Sequence, residues 1–215
     1  MGKVKIKKQA IWIDMTPMSD VMVLLLTFFM LTSTFTKNEA VRVNTPGSVS
    51  EVKVPDKDVL TVLVDKTGKI FLGMDKPKYM EEMLRDMAGQ YGVKLSDKGV
   101  ANFKTAANVG VSMTDMEAFL KLDPSKYNDF QAKRGIPTDS VKGADPRSEF
   151  QHWVEAAKNA VEMSGDGKEF KLAIKADAGT PYKVVKKMMS ELQDMNENRY
   201  YLITTLQQEQ DDKKK

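Results

Sequence analysis

The sequence predicts an α+β protein carried on one N-terminal transmembrane helix, and three observations predict it. Residues 21–31 form a strongly apolar run, VMVLLLTFFML. Two β-rich segments then flank a turn at residues 65–68 and lead into a helical pattern. A strand-like, helix-like, strand-like series closes the chain over residues 169–206. Strands and helices grouped in this way suggest a small sheet with helices on one face. Of the 215 residues, 41% are hydrophobic and 29% charged, so the bulk of the chain reads as globular and the membrane signal is local. A net charge of +3, with no aromatic-interleaved basic patch, argues against a nucleic-acid partner. The absence of cysteine excludes disulfides, thiolate metal sites and a cysteine nucleophile. His152 is the only histidine, which excludes a multi-histidine metal site. There is no Walker A run and no dinucleotide fingerprint, so no cofactor, no metal and no enzymatic activity are expected.

Residues 1–14 open with MGKVKIKK, four lysines without an acid, and are expected in the cytoplasm by the excess of positive charge on that side. The span is expected over 15–36. Pro17 suits a first helical turn, where no amide donor is needed. Thr32, Ser33 and Thr34 extend the apolar heart because helical hydroxyls bond back to the preceding turn. Pro17 to Thr36 is twenty residues, about 30 Å of helix and enough to cross a bilayer. A cleaved secretory signal is the competing reading. The long start containing Asp14 and Asp20, without a small-x-small site after the apolar run, speaks against it. The C-terminal part then lies outside the cytoplasm.

Asp20 is the informative residue. An acid in an apolar span costs a few kcal/mol, so it faces a partner or a wet cavity. At 100° per residue Thr16, Asp20, Thr27 and Thr34 fall within about 40° of one another, a polar stripe on one face. Asp14 lies about 120° away, at the interface. A lone helix cannot bury such a stripe, so the span should associate with others. Desolvation raises a carboxylate's pKa and brings proton exchange towards neutral pH, which makes Asp20 a candidate proton relay. The plainer alternative is a structural acid that snorkels to the headgroups or pairs with a partner's lysine.

Residues 37–57, with Pro46, Gly47, Ser48, Ser50 and Pro55, read as a linker. In it Val41, Val43, Val49, Val52 and Val54 alternate with polar residues, so a transient or partner-paired strand is expected; Val41, Val43, Val52 and Val54 are candidate partner contacts. The domain proper covers 58–206. Val59–Val64 and Lys69–Leu72 flank the hairpin turn Asp65-Lys66-Thr67-Gly68. Pro77 opens a helix in which Tyr79, Met80, Met83, Leu84, Met87, Ala88 and Tyr91 recur at 3.6-residue spacing. Helices are expected at Ser112–Leu122, Pro124–Arg134 and Arg147–Met163. On the last of these His152 sits beside Trp153, without a second histidine for a metal. Phe170, Leu172 and Ile174 alternate as a strand, and Pro181 opens a helix with Val184, Val185, Met188, Met189, Leu192 and Met195 inward. Arg199 to Leu206 is expected as one closing strand, and 207–215 as a disordered tail. Asp177 reads as a turn or capping residue before a functional acid. Tyr182 reads as core or helix edge. Asp56 and Asp58 are near each other, but no local pattern joins them to a base or nucleophile.

The run Ile13-Asp14-Met15-Thr16-Pro17-Met18-Ser19-Asp20-Val21-Met22-Val23-Leu24-Leu25-Leu26 resembles the N-terminal segment of the ExbD/TolR family of biopolymer-transport proteins. Ala176-Asp177 followed by Tyr182-Lys183-Val184-Val185 is similar to the family's periplasmic domain. The resemblance covers 11–36, 58–91 and 169–206; residues 92–168 depart from it as a largely helical insertion. It implies a bacterial inner-membrane protein with one span, a cytoplasmic N-terminus and a periplasmic domain. Asp20 is then the protonatable residue of a motor driven by the proton motive force, with Thr16 and Pro17 as motif positions. The implied partners are a pentamer of an ExbB/TolQ-like multi-span subunit, a second copy of the chain, a TonB-like or TolA-like protein that the motor energises for outer-membrane transport, and peptidoglycan. A TolR-like or gliding-type envelope motor is the near alternative. A membrane-anchored cell-wall or envelope binding module without a proton role is the further one.

Overall fold

The computed structural model describes residues 16–33, 41, 43–48, 57–139, 146–164 and 169–206. The chain divides into two compact units, 1–36 and 37–215. In the first, α1 runs from Thr16 to Thr32, with none of its residues buried. Its 17 residues rise about 25 Å, less than the twenty-residue span expected from Pro17 to Thr36. Ser33 still donates to the Phe29 carbonyl at 2.9 Å, but Thr32 sends its hydroxyl to the Phe28 carbonyl at 2.8 Å, the back-bonding that weakens a helix end. Among the described residues no helix is long and apolar enough to cross a membrane.

The second unit begins with a short strand β1 (Gly47–Ser48), then β2 (Val59–Val64) and β3 (Ile70–Met74). Helices α2 (Pro77–Tyr91), α3 (Asp97–Thr105), α4 (Met113–Leu120), a 3-10 turn (Pro124–Lys126), α5 (Tyr127–Ala132) and α6 (Glu149–Met163) follow. Strand β4 (Lys171–Ala176), helix α7 (Tyr182–Asp194) and strands β5 (Tyr200–Leu202) and β6 (Thr205–Leu206) complete it. The main sheet has the order β3-β2-β4-β5, with β2 antiparallel to β3 and parallel to β4, and β4 parallel to β5. The β2–β3 hairpin closes because Asp65 folds its side chain over the turn. Its Oδ1 accepts from the Thr67 and Lys69 amides at 2.8 and 2.9 Å, and Gly68 takes φ +85°.

Pairing register puts Leu60 beside Met74, Val62 beside Leu72 and Val64 beside Ile70, with Leu172 and Ile174 on the same side. These residues form one core with the inward faces of α2, α4, α6 and α7, so the helices lie on one face as the element order implies. On α7 Met188 and Leu192 are fully buried, while Val184, Val185, Met189 and Met195 pack at the margin. Tyr182 is 76% exposed at the helix edge and takes no part in the core.

Residues 92–168 are not an addition to a finished core; they are part of it. Phe103, Phe119, Phe150 and Trp153 are all fully buried. The insertion also seals one sheet edge: Leu72 and Val109 exchange amide hydrogen bonds at 2.7 Å, and the Ile136 amide donates to Ile70 at 2.9 Å. Gly110 makes that approach feasible, since a Cβ there would stand 2.0 Å from the Phe71 ring. Helix α3 carries a weak apolar pattern and escapes sequence reading, although Ser96 caps it by accepting from the Gly99 amide at 3.1 Å. The helix expected from Pro124 to Arg134 is instead a 3-10 turn followed by α5, with Asp123 capping the turn. The closing strand expected over Arg199–Leu206 is two strands, because β5 stays with the sheet while β6 pairs in parallel with β1.

Two buried acids brace the insertion, one from within it and one from α7. Glu149 accepts from the Met113 amide and the Ser112 hydroxyl, both at 2.7 Å, and so holds the start of α4. Glu191 on α7 accepts from the hydroxyl of Ser148, the residue that caps α6 in a capping box with Gln151. Burial pushes both carboxyls above the ordinary range, only partly offset by these hydrogen bonds. A raised carboxyl pKa means that the folded chain holds its proton longer than the unfolded one, so stability falls as pH rises from the ordinary glutamate pKa through the raised value. Glu191→Gln is therefore expected to raise the urea midpoint at pH 7 and to leave it almost unchanged at pH 4. An equal midpoint for both proteins at pH 7 would contradict this.

Candidate functional site

The polar stripe of α1 is present from Thr16 through Asp20 to Thr27, all three exposed on one helical face. Thr34 lies outside the described residues, as do Asp14, Val52 and Val54. Pro17 occupies the first turn, as its missing amide permits. The Thr27 hydroxyl lies 2.9 Å from both the Val23 and the Leu24 carbonyls, and donates within its own helix. It therefore offers a passing water only its acceptor lone pairs. Among the described residues Asp20 has no hydrogen-bond or ion-pair partner. Its carboxylate stands one turn from the helix start, above the aliphatic run Val21–Leu26.

A second constellation lies where the linker meets the sheet. The Asn44 amide donates to Asp177 Oδ2 at 2.9 Å, and the Ala178 amide donates to the Asn44 carbonyl at 2.9 Å. Asp177 Oδ1 also accepts from the Gly179 amide at 2.9 Å, which is the turn role its sequence suggests. The bond to Asn44, 133 residues away, is the part that no local pattern contains. The β1–β6 pairing continues the attachment, and Val41 and Val43 are half-buried beside it. The expected linker is thus docked over residues 43–48. The Asn44 amide, with help from Gly179, holds the Asp177 carboxyl below its usual range. A depressed pKa contributes stability that is present above the ordinary aspartate pKa and lost as pH falls through the folded value. Asp177→Ala is expected to release residues 43–48 at neutral pH, read as faster hydrogen exchange of the Asn44 amide. The unmodified chain should show the same release only in acid. Unchanged exchange in the variant would assign the docking to β1–β6 alone.

Where the chain enters β2, Asp58 adopts φ +59° and accepts from Lys76 Nζ at 2.6 Å and from the Tyr79 hydroxyl at 2.8 Å. This buried clamp joins the linker's end to the first turn of α2. It is an anchor, and Asp56 lies outside the described residues. His152 is 8% exposed with its ring edge-on to Tyr91. Among the described residues no cluster of His, Cys, Asp or Glu could hold a metal.

Residues 7–207 match the family model described as biopolymer transport protein ExbD/TolR. The chain is also similar to the biopolymer transport protein ExbD of Pseudomonas aeruginosa, at 35% identity over 74 residues, which is 34% of this chain and 55% of that protein. It thus spans about half the length of that curated relative. No solved structure matches.

Proposed function

From the premise that this chain belongs to the ExbD/TolR family of biopolymer transport proteins, we propose that it is the single-span subunit of an inner-membrane motor of the ExbB–ExbD kind, with Asp20 on the proton path. The observation that carries the reading is a carboxylate without a partner among the described residues, on the polar face of a helix that is otherwise apolar and has none of its described residues buried. Such a helix needs neighbours, and a ring of a multi-span ExbB/TolQ-like subunit around two copies of this chain would supply them. The span is read over 15–36 with residues 1–14 in the cytoplasm, and 37–215 face the periplasm.

One elementary charge crossing the membrane releases about 2.3 kcal/mol per 100 mV, and the pH gradient adds to it. A carboxylate that takes a proton on one side and loses it on the other can convert this into motion of α1. That motion reaches the periplasm through the linker. Docking of residues 43–48 on Asp177 gives that part of the linker a resting place; its release would free Val41 and Val43, and these together with Val52 and Val54 are the residues proposed to pair with a TonB-type protein or another envelope partner. The test is extraction of the tagged full chain from its native membrane. It should resist carbonate, co-purify with a multi-span subunit, and change its linker crosslinks when a protonophore collapses the gradient. Release by carbonate without a membrane partner would remove the motor reading.

A further inference from the structure

Within residues 92–168 a cavity of about 570 Å³ opens between the first turn of α3, the end of α4 and the 3-10 turn that follows. That volume is usual for a small-molecule site. Gly99 lets the two helices meet there, since a Cβ would stand 2.9 Å from Ser96 Oγ and 3.1 Å from Leu120 Cβ. Lys98, Asn102 and Lys121 give the wall its polar part, Leu122 and Pro124 an apolar part. Donors are in excess. The Asp97 and Lys98 amides open α3, a helix of nine residues, and have no carbonyl one turn back to bond. The Lys98 ammonium is exposed and has no ion-pair partner among the described residues. Lys121 gives one hydrogen to Glu117 at 2.7 Å and keeps the others. The acceptors are largely spent: Ser96 Oγ on the Gly99 amide, and Asp123 Oδ1 on the Ser125 amide and hydroxyl at 3.0 and 2.8 Å. Lys126 stands near enough to offset the Asp123 charge.

Tyr127 points the same way independently. It is 3% exposed, and its ring is fixed against Phe119 with the centroids 4.2 Å apart. Its hydroxyl stands beside Asn102 and Asp123, both in the cavity wall, yet makes no hydrogen bond of good geometry among the described residues. A phenol buried in this way costs free energy until something completes it. Burial also pushes its pKa up, so it stays a neutral donor. We propose that this cavity binds a carboxylate carried on a short aliphatic stem. Lys98 and the first turn of α3 take the charge, the half-buried Asn102 side chain swings aside so that Tyr127 donates to it, and the stem lies on Leu122 and Pro124. A helix start favours an anion, and hydrogen bonds to a charged acceptor are the strong ones. A free aliphatic acid and a peptide ending in an aliphatic residue present this same chemistry. Every residue invoked belongs to the insertion, so the site is independent of the proton path.

Calorimetric titration of the detergent-solubilised full chain tests this with hexanoate, with acetyl-Gly-Gly-Leu bearing a free C-terminus, and with the same peptide amidated at its C-terminus. The acids should bind and the amide should not. Hexanoate binding as tightly as the peptide assigns a free acid; tighter binding of the peptide assigns a protein C-terminus. Tyr127→Phe and Lys98→Gln should each weaken binding roughly tenfold. Tyr127→Phe should also melt no lower than the unmodified chain, because the lost hydroxyl had no partner. A marked fall in its melting temperature would mean that the hydroxyl is already satisfied within the fold, and would count against the site. Lys98→Gln alters only an exposed side chain and reads the charge contact without risk to the fold. Equal binding of acid and amide, unchanged affinity in either variant, or no heat with either acid at millimolar concentration would overturn the proposal.

Discussion

Asp20→Asn is expected to leave the chain at normal level and assembled in its complex, and to reduce the energy-dependent process to that of a cell lacking the protein. The change is nearly isosteric, so packing of α1 against neighbours survives. What disappears is the only group on that face able to take up and release a proton, since an amide neither ionises nor accepts one at physiological pH. Thr16 and Thr27 cannot substitute, because hydroxyls relay protons only alongside a group that exchanges them, and Thr27 already spends its hydrogen within the helix. Asp20→Glu should retain part of the function, because the carboxylate is kept and only its depth changes by one methylene. The measurement is transport or envelope integrity, with chain level and co-purified partner followed in parallel. Normal function of Asp20→Asn would make the acid structural and bring forward an anchored binding module.

Trp153→Ala is expected to destabilise the α+β domain by about 4 kcal/mol, a typical cost for emptying a fully buried aromatic site. Whole domains are stable by only about 5–15 kcal/mol, so most of the margin would go. For a unit of this size the melting temperature should fall by roughly 10 °C, at about 2–4 °C per kcal/mol. Trp153 is inside the core that unites α2, α6 and the sheet, together with Phe150 and Val154. Met163→Ala, on the exposed end of the same helix, should stay within about 0.5 kcal/mol and serves as the control. Circular dichroism melts of the purified full chain distinguish the cases. A loss near 1 kcal/mol for Trp153→Ala would mean that the insertion is a surface attachment after all. By the same argument, excision of residues 92–168 should leave no folded domain, since β3 would lose its edge cover at Val109 and Ile136 as well as the aromatic core.

Val59–Val64 is legible as a strand because its run of β-branched and aliphatic residues ahead of a turn is local, and α2 because Pro77 and a 3.6-residue stripe mark it. The turn role of Asp177 is legible for the same reason. Its grip on Asn44 is not, and neither is the clamp of Asp58 on Lys76 and Tyr79, because nothing in a short window distinguishes an acid that caps its own turn from one that binds a distant amide. Helix α3 hides behind Gly99 and a polar surface, and is held by packing of Val100 and Phe103. The closing segment reads as one strand by propensity; it divides because two different neighbours, β4 and β1, claim its halves.

By itself the sequence determined the elements that frame the sheet (β2, β3, α2, β4 and α7) in their order, the apolar N-terminal helix, the single acid on its polar stripe and the family to which the chain belongs. All of these reside in periodicity and short motifs, which side-chain geometry along one helix or strand makes readable. Tertiary structure alone decided that the insertion belongs to the core, that the linker rests on Asp177 and β6, and that one sheet edge is sealed. Those outcomes depend on hydrogen bonds and close packing between residues far apart in the chain, where burial and the need to satisfy each backbone group choose the partner.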